Sequence, residues 1–167
     1  ALALEPRPEL VCNVGVAFHK AHDLPRAHLY LGQCLTRVGA LDAGFAASVR
    51  AVFAAVEDNL RAGGFTAIDV TVTPSAASFT VSAFDPADVI VGDRLVWLPL
   101  GHHTLTARAE GYRDRTVELD VTAGPHEPVR LTLDREPPPN APSAPTRRSR
   151  TPAILATAGT GALALGA

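Results

Sequence analysis

The 167-residue chain has no methionine, one tryptophan and only two cysteines. Without a methionine the sequence does not include its own initiator, so the expectation is a processed chain or part of a longer one. An excess of positive charge is also missing. Arg147, Arg148 and Arg150 lie in the tail with no acid after them, leaving residues 1–146 with 12 basic against 17 acidic side chains, a net −5. A domain of that sign lacks the electrostatic footprint for phosphate backbones, and nucleic acid is not an expected partner. There is no glycine-rich phosphate loop, Gly-x-Ser-x-Gly elbow, His-Glu-x-x-His run or spaced acid pair in a recognisable setting. The expectation is therefore a protein that is not an enzyme and carries no cofactor and no metal.

The composition changes along the chain, and the fold class expected is α+β. Residues 1–64 are rich in alanine at helical spacing, 66–134 are rich in Val and Thr, 135–151 are proline-rich, and 152–167 carry no charge. Two small domains, a spacer and a tail are expected. In the first stretch, Leu10, Val14, Phe18 and Ala21 mark a helix of about three turns. Asp23 then caps a second helix with Pro25 in its first turn, whose face is Ala27, Leu31, Cys34, Leu35 and Val38, with Gly39 ending it. Asp42 caps a third helix carrying Phe45, Val49, Val52, Phe53, Val56 and Leu60, stopped by Gly63 and Gly64.

Strand alternation recurs five times between Phe65 and Asp134. The inward sets are Ile68/Val70/Val72, Phe79/Val81/Ala83, Leu105/Ala107/Ala109, Val117/Leu119/Val121 and Val129/Leu131/Leu133. Pro74 to Ala76, Asp85-Pro86, Gly92-Asp93, Gly101, Gly111 and Gly124-Pro125 supply turn residues between them. Residues from Val89 to Leu98 are less regular and read as a short strand or a loop across one edge.

Two resemblances follow from these residues. Between Pro8 and Leu41 the chain resembles a tetratricopeptide repeat, with Val14, Gly15, Phe18, Ala27, Leu31 and Cys34 at the family's large, small, aromatic, small, bulky and small positions. Gly39 stands where that family usually has proline. The opening ALALEPRPEL then looks like the tail of a preceding repeat, and the third helix like the cap of the array. An unrelated three-helix bundle is the alternative. Residues 67–134 resemble the PEGA domain, a small β-sandwich of bacterial surface and membrane proteins. Val72-Thr73-Pro74, Phe79 to Ser82, the segment from Leu98 to His103, and Glu110-Gly111-Tyr112 occur in that family's order. The naming tetrapeptide survives in Pro74-Ser75-Ala76-Ala77 only at its first and last letters.

Few residues invite a site. Cys12 and Cys34 sit on successive helices; two buried thiols are the favoured reading and a disulfide the alternative, for a domain outside the cytoplasm. The spacing of His19, His22 and His28 is weak evidence for a metal, and surface histidines are expected. His102 and His103, adjacent on a strand, should face opposite sides. Trp97 and Tyr112 are large enough to stack on a sugar or anchor a partner. In the PEGA resemblance aromatics recur at these positions, which implies a structural role.

The sequence EPPPNAPSAPTRRSRT, residues 136–151, cannot build a core and should extend, reaching about 50 Å at ~3 Å per residue. Beyond it, the uncharged 16-residue run from Pro152 to Ala167 reads as the start of a transmembrane helix. The arginines before that run favour a cytoplasmic location, whereas the PEGA resemblance implies the cell envelope. The envelope is the expectation and the cytoplasmic face the alternative. The expected function is a non-enzymatic, membrane-anchored scaffold whose helices bind a protein or peptide partner, the β-module acting as spacer or envelope contact. A sensory part of a larger membrane signalling protein such as a kinase, or a module binding cell-wall glycan, are the alternatives.

Overall fold

A computed structural model describes residues 8–37, 39 and 41–137 as an α+β fold with three helices and two sheets. The proline-rich spacer after Pro137, its arginines and the expected membrane segment lie outside the described residues. Among the described residues no helix is long and apolar enough to cross a membrane.

Helices α1 (Pro8–Lys20), α2 (Leu24–Leu35) and α3 (Ala43–Ala62) lead the chain. The Asp23 carboxylate accepts from the Arg26 N–H at 3.3 Å, and Asp42 accepts from the Gly44 and Phe45 amides at 2.9 and 3.1 Å. Each thus satisfies donors that a first helical turn leaves open. α2 stops at Leu35, short of the Gly39 marked in the sequence. The Thr36 hydroxyl bonds the Gln33 carbonyl at 2.7 Å, and the Thr36 and Arg37 amides donate to Gly32 and Cys34. Val38, expected on the same helix face, lies outside the described residues.

Cys12 meets Cys34, Gly15 meets Leu31 and Phe18 stacks on Tyr30, so contacts step in opposite directions along α1 and α2. The two helices form an antiparallel hairpin. The two sulfurs are bonded at 2.07 Å and both cysteines are buried, where the sequence reading favoured separate thiols. Their positions near the open end of the hairpin, 22 residues apart, bring them together.

The strands are β1 (Phe65–Thr73), β2 (Ser78–Val81), β3 (Ile90–Val91), β4 (Arg94–Pro99), β5 (Gly101–Arg108), β6 (Arg115–Val121) and β7 (Val129–Thr132). One sheet has the order β4-β1-β7, with β1 antiparallel to β4 and parallel to β7. The other, β3-β2-β5-β6, is antiparallel throughout. A shared core draws Ile68, Val70 and Leu131 from the first sheet and Phe79, Leu105 and Ala107 from the second.

Two expectations need correction. Residues 89–98 hold two strands, β3 and most of β4, rather than one strand or a loop. The run Val96-Trp97-Leu98 is buried throughout, because Val96 and Leu98 enter the sandwich core while Trp97 enters the helical one. A strand covered on both faces shows no alternation, which hid it. Ala83 is exposed instead of inward, since β2 ends at Val81 and the following turn brings Phe84 into the core. The helical and strand-rich regions on either side of residues 64–66 pack on one another. Residues on both sides belong to one unit ending at Glu136, in which Leu29 of α2 joins the sandwich core and Phe65, Ala67 and Trp97 join the helical core.

Gly15 sets the spacing of the hairpin. A Cβ there would stand 2.7 Å from Leu31 Cγ and 2.8 Å from the Leu31 backbone nitrogen, and the backbone contact cannot be relieved by a rotamer change. Gly15→Ala should therefore destabilise the protein by about 1–3 kcal/mol despite alanine's better helix propensity. A shift of the urea midpoint to lower concentration checks this; a stabilised variant would show that the helices can separate without loss.

Candidate functional site

The residues singled out in the sequence do not converge. Trp97 is 7% exposed and lies under the helices, its ring nearly perpendicular to that of His28 at 6.1 Å between centroids, so it offers no platform for a sugar. Tyr112 is half-buried against the sandwich core, with the Arg135 guanidinium 5.8 Å above its ring. Its segment is tied to 134–136 by the Arg113 N–H to Asp134 carbonyl bond and the Glu136 N–H to Gly111 carbonyl bond. Both aromatics are engaged by the fold. The disulfide occupies Cys12 and Cys34.

The histidines also divide. His102 is exposed and bonds Asp120 Oδ1 at 2.7 Å, an interaction that raises its pKa, while His103 on the other face is buried against the Pro99 carbonyl at 2.8 Å. His28, expected at the surface, is 6% exposed. Its ring stacks on Phe53 at 4.7 Å, and Glu57 Oε1 stands 3.4 Å from Nε2 without hydrogen-bond alignment. No group of three or more His, Cys, Asp or Glu among the described residues could hold a metal ion.

A polar cluster at the seam between helices and sandwich was not read from the sequence. Asp88, 5% exposed in the loop before β3, accepts from the Tyr30 hydroxyl at 2.5 Å. Arg26 Nε lies 2.7 Å from the other carboxylate oxygen as a contact ion pair, and the same guanidinium covers the Phe18 ring at 4.1 Å. Burial, reinforced by the bond to Asp88, pushes the Tyr30 pKa up to about 12. The partners are 58 residues apart along the chain, and Asp85-Pro86-Ala87-Asp88 reads only as a turn. No local pattern signals the pairing.

Beside this seam, a cleft of about 220 Å³ opens between the hairpin and the β3–β4 region. Val11 of α1 faces Val89 and Val91 across it, and Arg37 and Arg94 stand at its walls. Gln33, Thr36 and Arg94 continue into an adjoining pocket of about 160 Å³ whose lining includes His28. Among the described residues, no acidic side chain lines either space. Arg94 Nε and both His28 ring nitrogens are buried without a hydrogen-bond partner. The arrangement holds no nucleophile with a paired base; what it can do is receive apolar and anionic groups from outside.

No protein-family model matches the chain, and no curated protein matches it. The tetratricopeptide and PEGA resemblances therefore rest on the residues quoted for them.

Two predictions follow from the seam. Asp88→Ala strips Arg26 and Tyr30 of their common acceptor and should cost about 2–4 kcal/mol, the lower part of the range because Arg26 is partly exposed. Faster hydrogen exchange in α2 than in β5 would locate the loss at the seam; a variant as stable as the parent would show that the cluster is dispensable. His28 has its pKa lowered, chiefly by burial and against the pull of Glu57. Its folded value lies below the unfolded 6.5, so its stabilising contribution is complete above about pH 6.5 and is lost as pH falls through the folded value. His28→Phe should show a smaller drop in melting temperature than the parent between about pH 7 and pH 5. Parallel curves would contradict this.

Proposed function

We propose that this chain is a non-enzymatic interaction protein of the bacterial cell envelope. A tetratricopeptide-like hairpin is fused to a PEGA-like sandwich, and the C-terminal proline-rich and uncharged segments tether the unit to a membrane. The observation that carries the reading is a set of exposed apolar side chains on α1 and beside β3. Leu10 and Val14 on α1 are 55% and 39% exposed, and Val89 and Val91 beside β3 are 53% and 57% exposed. Val11, one helical turn from Val14, meets the two β-region valines in the same cleft. Leu100, 51% exposed, stands apart from this group, but four of the five large exposed apolar side chains among the described residues belong to α1 or the β3 region, and such grouping is characteristic of interaction surfaces.

Other features support the same reading. Ala27, Leu31, Val49, Val56 and Leu60 of the helices pack in a core with Trp97, so a partner meets the outer side of α1 instead. The Cys12–Cys34 disulfide fits an oxidising compartment, as the envelope placement requires. Trp97 is covered and Tyr112 is engaged, which removes support from the glycan reading.

Site-specific photo-cross-linking in bacteria tests the proposal. A photoreactive residue in place of Val14 should give discrete protein adducts that disappear when Leu10→Asp is added. The same residue in place of Thr116, on the outer face of β6, should give none. Equal labelling from both positions, or none from position 14, would overturn the reading.

A further inference from the structure

We infer that the cleft between α2 and the β3–β4 region binds an extended protein segment whose apolar side chains lie along the valines and whose carboxylate enters the Arg94–His28 pocket. The inference deepens the interaction reading above and rests on it. It assigns the surface a ligand chemistry.

Charge is the first argument. Arg37 and Arg94 flank the cleft, and neither has a carboxylate partner among the described residues. The neighbouring Asp93 makes no ion pair with Arg94; its Oδ1 is turned to the Val72 amide of β1, from which it accepts at 2.9 Å. Arg94 itself makes only a bond from Nη1 to the Asp93 carbonyl at 3.1 Å, leaving the buried Nε unpartnered. The carbonyls of Gly32, Gln33 and Cys34 in the last turn of α2 already accept from Thr36 and Arg37. They therefore present little open negative charge to an incoming anion.

Burial is the second. His28 is 94% buried and lines the inner pocket with Arg94; its Nε2 stands 3.4 Å from Glu57 Oε1 outside hydrogen-bond alignment, and its Nδ1 has no hydrogen-bond partner. Buried polar atoms in folded proteins are nearly always satisfied, so His28 Nδ1 and Arg94 Nε, covered and unsatisfied in residues that line a space of about 160 Å³, would gain a partner from a polar group entering there with a small side-chain shift. A carboxylate is the complement of a guanidinium and an imidazole N–H, and the space admits one acidic side chain.

Backbone geometry is the third, and it favours an extended ligand. β3 is an edge strand, paired only with β2. The Gly92 N–H donates to the Ala77 carbonyl on the β2 side at 3.0 Å. Since amides alternate direction along a strand, the Val91 N–H and C=O face the open edge, on the side away from β2. Strand addition there would give backbone hydrogen bonds, with Val11, Val89 and Val91 receiving alternate side chains. The valines and the pocket would then be covered by one segment.

Binding of fluorescein-labelled nonapeptides alternating Val with Glu, Gln or Lys, measured by anisotropy on the intact chain, tests the inference. The Val/Glu peptide should bind at least about tenfold more tightly than the Val/Gln peptide, and the Val/Lys peptide more weakly still. Arg94→Gln should erase the preference for Glu over Gln, with Arg37→Gln reducing it. Hydrogen exchange should slow at Val91 on addition of the Val/Glu peptide. If Arg94→Gln impairs folding, Val91→Glu, at an exposed position, should still repel the Val/Glu peptide by about tenfold or more. Equal affinity for Glu and Gln peptides, an undiminished preference in Arg94→Gln, or displacement by free glutarate at equal concentration would each overturn the assignment. Any of these with position-14 cross-linking intact would refute the carboxylate site and leave the interaction reading standing.

Discussion

Helix α2 must satisfy two cores at once, and the rest of the architecture follows from that demand. Ala27, Leu31 and Cys34 face the other helices, while Leu29 reaches the core between the sheets and Tyr30 packs against it. A helix buried on nearly every side cannot stand alone in water, and neither layer closes its core without it. β4 is the matching element from the other side, with Trp97 directed to the helices and Val96 and Leu98 to the sheets. The resulting order is helices, three-stranded sheet, four-stranded sheet, with α2 and β4 as the two surfaces of one joint.

Apolar packing alone would let such a joint slide, since burial is not directional. The polar groups at the seam give it a register. Asp88 takes a hydrogen bond from Tyr30 and an ion pair from Arg26, fixing the loop before β3 against the first half of α2. Buried charges are costly unless paired, so a helix shifted by one residue would expose this carboxylate to an apolar surface and lose both partners. His28 and Glu57 mark the same joint where α3 approaches. The specificity of docking thus resides in a few charged residues, and its free energy in the apolar ones around them.

The parts of this structure legible in the sequence are those governed by local rules. Asp23 and Asp42 cap helices as their spacing implied, and the alternating sets of β1, β5 and β7 face the core because alternate side chains of a strand turn to the same side. What escaped was whatever depends on being covered twice. The succession Ala27-His28-Leu29-Tyr30-Leu31 does not match a single helical stripe, and Val96-Trp97-Leu98 does not alternate. Both runs were visible, yet periodicity cannot say which second layer covers them. Most of the candidate site was illegible for a related reason. Arg94, Val89 and Val91 fell in the stretch read as irregular, and their approach to Val11 and His28 is produced by the docking of two layers.

That docking also explains why the apolar side chains of α1 survive exposed. α1 packs chiefly on α2 and has little contact with α3, and Leu10 and Val14 on it stay exposed. It is nevertheless held near both ends. The disulfide anchors Cys12 to the end of α2, and Phe18 contacts both the Tyr30 ring and the Arg26 guanidinium. A helix pinned in this way keeps Leu10, Val11 and Val14 in fixed positions relative to β3 instead of folding them inward. Fixing the surface in advance removes part of the ordering cost that association would otherwise carry. The same clamps that compensate for a thin helical layer therefore create a rigid apolar wall, and the cleft beside Arg94 is the space between that wall and the sheet edge.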